Sequence, residues 1–499
     1  MLIPIADNHD YLFYGNNLDI LRQRIPDASV DLCYIDPPFN SKRTYFQIYN
    51  NIGKEDRAQS QAFVDTWVWG AESEQGLQEI LANEQGRFSA QAVALIQGLY
   101  GVLGASALMA YLVHMALRVT EIFRVLKPTG SFYLHCDPTA SHYLKLILDA
   151  VFVSQGGEFQ NEIVWHYTGG GRSKTYFSRK HDIMLWYSKT AHACFNLDAV
   201  RQPYKVTSGY AQNGITAKSG KHYMPHPLGT PVDDVWDIPI INPMAKERLG
   251  YPTQKPEALL ERIIKASTNE GDTVLDAYCG CGTTVAVAQK LHRRWIGIDI
   301  TFQAVSLIIK RLEDSSPVEQ RAALHHRVVI HGIPQDVAAA AALAHDPQDK
   351  LRKEFEKWAI LTYSGNRATI AEKKGADSGV DGRAYFMVGP QQNAKVLFQA
   401  KSGHATRATV ATLRGDMARE HAELGVLLTL DEPTKPMQHE AASAGIYQHP
   451  LFDHQEPRIR IVTVREIIEK RARMALPMTQ AVVKAAQVAN APVDQLSWL

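Results

Sequence analysis

Val30–Ile35 is a largely apolar run that stops at the pair Pro37-Pro38, the pattern of a buried strand whose end is forced into an extended turn. Asp36 is thereby set at a strand tip. Tyr111–Leu126 carries apolar residues at helical spacing, Lys127-Pro128-Thr129-Gly130 stops it, and Ser131–His135 reads as the next strand. A second such rhythm predicts helix Ala258–Ala266, turn Asn269–Asp272, strand Thr273–Asp276, a glycine loop, helix Thr284–Leu291 and strand Trp295–Asp299. Strands alternating with helices imply an α/β protein with a doubly wound, mostly parallel sheet, whose ligands bind at the carboxyl ends of the strands.

Periodicity weakens from Glu313 to Lys350, where Pro317, Pro334, Pro347 and the run Ala338–Ala342 fall, and a domain boundary is expected there. The predicted organisation is a domain over 1–312 with insertions at 40–106 and 191–250, a linker 313–350, a second domain 351–470 and a helical tail 471–499. The 499 residues suffice for about three domains. Lysines and arginines number 53 against 52 acids, so attraction to a polyanion must come from local clustering. Five cysteines without a Cys-x-x-Cys pair argue against a disulfide framework or a zinc ribbon and fit a reducing cytoplasm. Residues 1–10 contain no Lys or Arg, unlike a secretory signal. The longest apolar stretch, Ala107–Leu117, is shorter than the about 20 residues a bilayer requires.

In Asp276-Ala277-Tyr278-Cys279-Gly280-Cys281-Gly282-Thr283-Thr284 a strand runs through a glycine turn into a helix. Glycines allow close backbone approach, and a helix start offers free N–H groups to an anion. Asp299, 23 residues after Asp276, ends the next strand, where a carboxylate accepts both hydroxyls of a ribose. The loop is not Gly-x-Gly-x-x-Gly, which favours a nucleoside bearing a carboxylate, such as S-adenosylmethionine, over a dinucleotide. A merely tight turn is the plain alternative. Cys279 and Cys281 read as small loop residues rather than metal ligands.

Asp36-Pro37-Pro38-Phe39 carries more information. A carboxylate and a backbone carbonyl fixed by two prolines can accept both hydrogens of an exocyclic amine, freeing its lone pair to attack a methyl group, while Phe39 stacks on the base. With this motif and the glycine loop, the segment from about Tyr11 to Leu312 resembles the β class of amino-methyltransferases acting on DNA, including type III modification subunits. Further matches are Leu12–Asp19, Phe63–Trp67, Ser178–Asp182 and Tyr251–Pro256. The resemblance implies a circularly permuted Rossmann-like domain, with the catalytic motif 240 residues ahead of Asp276, and S-adenosylmethionine bound by Asn16, Lys255, Asp276, Tyr278, Gly280, Gly282, Thr283, Thr284 and Asp299. Asp-Pro-Pro-Phe implies adenine N6 over cytosine N4, and no Pro-Cys dipeptide offers a nucleophile for cytosine C5. Two departures stand out: Asn16 replaces the usual acid that contacts the cofactor's adenine amine, and Ala277-Tyr278 replaces Pro-Phe.

An adenine inside duplex DNA must be flipped out at a cost of a few kcal/mol, offset by groove and phosphate contacts. Trp165–Lys180 has four bases, four aromatics and no acid, a composition suited to stacking and phosphate contact. A solvated loop is the alternative. Lys42, Arg43, Arg172, Lys174, Arg179 and Lys180 are the expected DNA contacts, and the two insertions the expected target-recognition regions.

In the second domain, Gly375–Gly382 leads into strand Arg383–Val388, and Lys395–Phe398 ends in Gln399-Ala400-Lys401. Asp381 and Gln399, with the Ala400 carbonyl, could hold a divalent metal such as Mg2+, and Lys401 could orient a water for phosphodiester hydrolysis. A surface hairpin is the alternative. Residues Leu351–Ile468 resemble the Mrr-like branch of restriction-endonuclease-fold nucleases in Gly-x-Asp-x-Gly-x-Asp-Gly, Gln-x-Lys, strand Gly425–Thr429 and helix Ala441–Gly445. Glu354 or Glu356 matches the extra acid of such folds. The leading expectation is an adenine N6-methyltransferase acting on double-stranded DNA with a C-terminal nuclease-like domain. The alternatives are a bifunctional restriction-modification enzyme, or a methyltransferase whose C-terminal domain only binds DNA or a partner. Expected partners besides DNA are a restriction or defence-system subunit and a second copy of the chain.

Overall fold

In a computed structural model, the described residues are 2–3, 9–38, 43–47, 60–65, 67–168, 173–205, 207–242, 244–245, 247–249, 251, 253–334, 336–345, 349–365, 367–370, 379–389, 392–450 and 455–475. A nine-stranded sheet runs in the order Val235–Asp237, Glu158–His166, His181–Ser188, Leu126–Cys136, Val30–Ile35, Thr273–Asp276, Arg294–Asp299, Asp10–Tyr14, Val328–His331. Six of its eight pairings are parallel, and only His181–Ser188 runs against its neighbours. The predicted doubly wound sheet is therefore present.

Both faces of this sheet are buried. Along Val30–Ile35, Cys33 and Ile35 enter one apolar cluster with the helix Ala107–Val125, while Leu32 and Tyr34 enter another with the helices Glu257–Ser267 and Thr283–Lys290. Side chains alternate across the pleat, so burial on both sides demands the near-continuous apolar run seen in the sequence. Ser106 starts the long helix by accepting a hydrogen bond from Met109 N at 3.2 Å, and backbone turned extended at Leu126 ends it. Observed elements match the predicted ones to within a few residues at each end: Glu257–Ser267, Thr273–Asp276, Thr283–Lys290 and Arg294–Asp299.

The stretch 313–350 departs from the expectation of a plain linker. It holds the helices Arg321–Arg327 and Val337–Ala344, and its strand Val328–His331 pairs with Asp10–Tyr14 at the sheet edge. Insertion 40–106 carries the hairpin Arg43–Gln47/Ser60–Asp65 and two helices, Ala71–Ala82 and Ala90–Leu103. From 191–250 the strand Val235–Asp237 is added to the other sheet edge. Of 471–499 only residues 471–475 are described, and they are not helical.

The second unit has a five-stranded sheet ordered Thr369–Ile370, Gly382–Gly389, Gln392–Lys401, Leu424–Thr429, Ile459–Thr463. The first two pairings are antiparallel and the last two parallel. Val396 and Phe398 pack toward helix Asp349–Tyr363, whereas Leu397 packs toward helices Arg407–Arg419 and Lys435–Ser443. The last of these begins earlier than the predicted 441–445, because Thr434 and Pro436 open a helix where proline is tolerated, in the first turn. No helix among the described residues is long and apolar enough to cross a membrane.

Candidate active site

Pairing of Val274 and Leu275 with Leu32 and Cys33 makes the strands ending at Asp36 and Asp276 neighbours, although 240 residues separate the two aspartates. The strand ending at Asp299 lies on the other side of Thr273–Asp276. All three carboxylates line one cavity of about 570 Å³ at the carboxyl edge of the sheet, with Pro37, Pro38, Thr283 and Thr284. Asn16, Lys255, Tyr278 and Gly280 line it too. Gly282 holds the turn behind it: at φ +74° it is left-handed, and a Cβ there would stand 2.6 Å from Ile308 Cγ1. Phe39 lies outside the described residues.

Asp276 is buried and accepts a hydrogen bond from Tyr278 N at 3.0 Å. Burial pushes its carboxyl up to about 7, against the pull of the Thr284 and Tyr278 hydrogen bonds and with the push of Asp36 and Asp299. Asp299 accepts from Gly280 N at 2.9 Å and from Thr301 N and Oγ1 at 2.8 and 2.9 Å. Burial raises it to about 6. Asp36 is paired with Lys255, whose Nζ donates to Oδ2 at 2.5 Å. Lys255, which the resemblance places on the cofactor, thus lines the cavity with its ammonium on the strand-tip carboxylate.

Behind Asp36 runs a buried relay. Tyr34 Oη and His135 Nδ1 are 2.9 Å apart, His135 Nε2 and Asp182 Oδ2 3.2 Å, and Tyr167 Oη donates to Asp182 Oδ1 at 3.2 Å. Burial works against the charge of Asp182, but its hydrogen bond and proximity to His135, and then Lys255, outweigh this and hold its carboxyl below the ordinary range. On the other flank, Asn16 Oδ1 caps helix Asn17–Arg24 through Leu18 N at 3.0 Å and accepts from Arg118 Nη2 at 3.1 Å. Arg118 Nε donates to Asn17 Oδ1 at 2.6 Å, and Asn17 Nδ2 to Ala277 O at 2.8 Å. His114 Nε2 stands 2.7 Å from Tyr278 Oη. Arg118 was not foreseen; it is one of three charged residues in the run 107–125, with Glu121 and Arg124, and nothing local marks it out.

Glu354 lies in the first site. It lines the same cavity, and its Oε2 accepts from Tyr14 Oη at 3.0 Å and from Phe302 N at 3.5 Å. Elsewhere in the second unit the strands do bring Asp381 and Gln399 together. Asp381 Oδ2 accepts from Ala400 N at 2.9 Å, and Gln399 Nε2 donates to Gly379 O at 2.8 Å. A Cβ on Gly379 would lie 2.8 Å from Gln399 Nε2 and 3.2 Å from Asp416 Oδ2, so helix Arg407–Arg419 adds an acid that no motif marked. Gln399 Oε1 and Asp416 Oδ2 are buried without a hydrogen-bond partner. Lys401 ends the same strand, half-buried. No group of three or more His, Cys, Asp or Glu residues suited to a metal occurs among the described residues.

Of the expected DNA contacts, Lys42 and Arg172 lie outside the described residues, and of Arg43 only its place in a strand is described. Lys174 and Arg179 are exposed and Lys180 half-buried. Phe177 is 99% exposed and Tyr176 66%, with the Arg179 guanidinium 5.9 Å from the Tyr176 ring centroid.

Comparison with known proteins agrees with this division. The family described as "DNA methylase" matches residues 30–310, and that described as "Restriction endonuclease" matches 351–456. Type II methyltransferase M.HpaI of Haemophilus parainfluenzae is 36% identical over 194 residues, covering 39% of this chain and 56% of that protein. The chain thus spans little more than half of that relative's length. DNA adenine methyltransferase YhdJ of Escherichia coli (strain K12) is 33% identical over 307 residues, covering 61% of this chain and 83% of that protein. Among solved structures, PvuII DNA methyltransferase (cytosine-N4-specific) is 16% identical, with a TM-score of 0.38 over 64% of this chain and 92% of that one.

Proposed function

The chain belongs to the DNA methylase family, which its residues 30–310 match and in which a relative bears the name DNA adenine methyltransferase, and from that premise we propose that it transfers a methyl group from S-adenosylmethionine to adenine N6 in double-stranded DNA. The observation that carries this reading is the meeting of Asp36, Asp276 and Asp299 in one cavity at the ends of three adjacent strands. The cavity suits the cofactor chemically. Asp299 faces it as an acceptor for ribose hydroxyls, and the first turn of helix Thr283–Lys290 offers backbone N–H groups to a carboxylate. When bound there, S-adenosylmethionine supplies an electrophilic methyl group.

The chain's own residues do the rest. Asp36 accepts one hydrogen of the target amine and a backbone carbonyl held by Pro37 and Pro38 accepts the other, which leaves the nitrogen lone pair free to form the new N–C bond. The Asp36 carboxylate takes up the proton the nitrogen sheds. Lys255 Nζ, donating to Asp36 Oδ2 at 2.5 Å, holds that carboxylate at the strand tip until the target amine takes its place. The target base reaches Asp36 by being flipped from the duplex. Lys174, Arg179 and the exposed ring of Phe177 supply phosphate contact and a stacking surface for the flanking strand.

A second activity has its own observation. Gln399 Oε1 and Asp416 Oδ2, buried without a hydrogen-bond partner on side chains that both lie against Gly379, are oxygen ligands of the kind Mg2+ takes. With Lys401 orienting water, the C-terminal unit would hydrolyse phosphodiesters. The test of the first activity is to incubate the protein with tritiated S-adenosylmethionine and mixed-sequence duplex DNA, then digest to nucleosides. Label in N6-methyladenine is expected. The Asp36→Ala variant is expected to bind DNA as the wild type does and to lose on the order of 10²–10⁴ in rate; full activity in that variant would refute the role of Asp36.

A further inference from the structure

Helix Asp349–Tyr363 belongs by sequence match to the second unit, yet three of its residues, Lys353, Glu354 and Lys357, line the cavity of the first. The contact is a built one. Glu354 is 7% exposed. Its carboxylate sits over the first residue of helix Phe302–Ser315, accepts the Tyr14 hydroxyl at 3.0 Å and is held by Lys357 Nζ at 2.6 Å. Phe302 packs in one apolar cluster with Phe355, Trp358 and Ala359, and Tyr14 packs against that cluster. Tyr14 and Phe302 flank the segment that ends at Asp299, so Glu354 stands at the end of the cavity where a nucleoside would lie. Two carboxylates, Asp299 and Glu354, face that end, and proximity to Glu354 disfavours the charge on Asp299. A ligand that brings further hydrogen-bond donors, as the diol and amine of an adenosine do, suits an end lined by two carboxylates.

We propose that Glu354 of the C-terminal unit is a binding residue for the nucleoside end of the cofactor, so that cofactor binding and the docking of helix 349–363 on the methyltransferase sheet are one linked equilibrium. This rests on the cofactor reading above and adds to it a role for the second unit. Because linkage is reciprocal, whatever loosens this helix weakens the cofactor by the same factor, and the cofactor tightens the helix in return. The nuclease-like unit is thereby positioned by the small molecule that the methyltransferase consumes.

The full chain should be titrated with S-adenosylhomocysteine and with adenosine by calorimetry, and hydrogen exchange of residues 349–363 followed with and without each. The expected results are protection of that helix by both ligands and about tenfold weaker binding of both to Glu354→Ala, as loss of a charged hydrogen-bond partner implies. Glu354→Gln, which keeps an acceptor for Tyr14, should fall between. Wild-type binding of S-adenosylhomocysteine with unchanged exchange across 349–363 would overturn the linkage while leaving the cofactor reading intact. Wild-type affinity in Glu354→Ala would do the same to the role of Glu354. Failure of the wild type to bind S-adenosylhomocysteine would overturn both.

Discussion

Asp276 is a charge the fold holds at a cost, and Asp276→Asn measures that cost. Its carboxyl is buried and raised from an ordinary 3.8 to about 7. Below pH 3.8 the group is protonated folded or unfolded and costs nothing. Between 3.8 and about 7 the unfolded chain ionises and the folded one does not, so stability falls as pH rises, and above about 7 the loss is complete. At ~1.36 kcal/mol per pH unit the whole window amounts to ~4 kcal/mol, of which ~1.6 kcal/mol has accrued by pH 5. Asparagine keeps an oxygen for Tyr278 N and Thr284 while removing the ionisation. The variant should therefore unfold at a higher temperature than the wild type, by on the order of 5 °C or more at pH 8.5 and by clearly less at pH 5. Circular dichroism melts at the two pH values read this directly. An offset equal at both, or a wild type more stable at pH 8.5, would refute the claim that burial makes an ionised Asp276 costly. The same variant should lose methyl transfer, since a carboxylate retained at such a cost is retained for its ligand.

Other consequences are open to simpler tests. Asp299, raised by burial to about 6, must be ionised to accept two ribose hydroxyls, so affinity for S-adenosylhomocysteine should rise up to tenfold per pH unit below 6 and level off above about 7; calorimetry across pH 5 to 8 that shows flat affinity would exclude that role. In the second unit, Mg2+-dependent cleavage of duplex DNA should vanish in Lys401→Ala and fall by on the order of 10² or more in Asp416→Ala. Equal cleavage by Lys401→Ala would remove the nuclease assignment, and an unaffected Asp416→Ala would take that acid out of the site.

Sequence alone determined much of this protein. Val30–Ile35, Thr273–Asp276 and Arg294–Asp299 were readable as strands buried on both faces because their interiors are almost wholly apolar, interrupted only by Asp31 and Gly297. Asp36, Asp276 and Asp299 were legible because each ends a predicted strand, the first in Asp-Pro-Pro-Phe, the second ahead of the glycine turn and the third 23 residues on. The Asp381 and Gln399 pair was readable from Gly-x-Asp-x-Gly-x-Asp-Gly and Gln-x-Lys on two predicted neighbouring strands. Tertiary structure decided the rest. That 240 residues of chain fold back to set Asp36 beside Asp276 follows from strand order, which no local pattern contains. Arg118 and Asp416 look like ordinary helix charges until packing buries them. Lys255 stands just ahead of helix Glu257–Ser267, 219 residues along the chain from Asp36, and only the tertiary fold sets its ammonium against that carboxylate. Glu354 is the sharpest case: its sequence neighbours assign it to the nuclease-like unit, but the packing of Phe355 and Trp358 with Phe302 sets it in the other unit's cavity. A helix periodicity specifies which face is apolar, and the surface that covers that face is chosen only when two separately encoded units pack together.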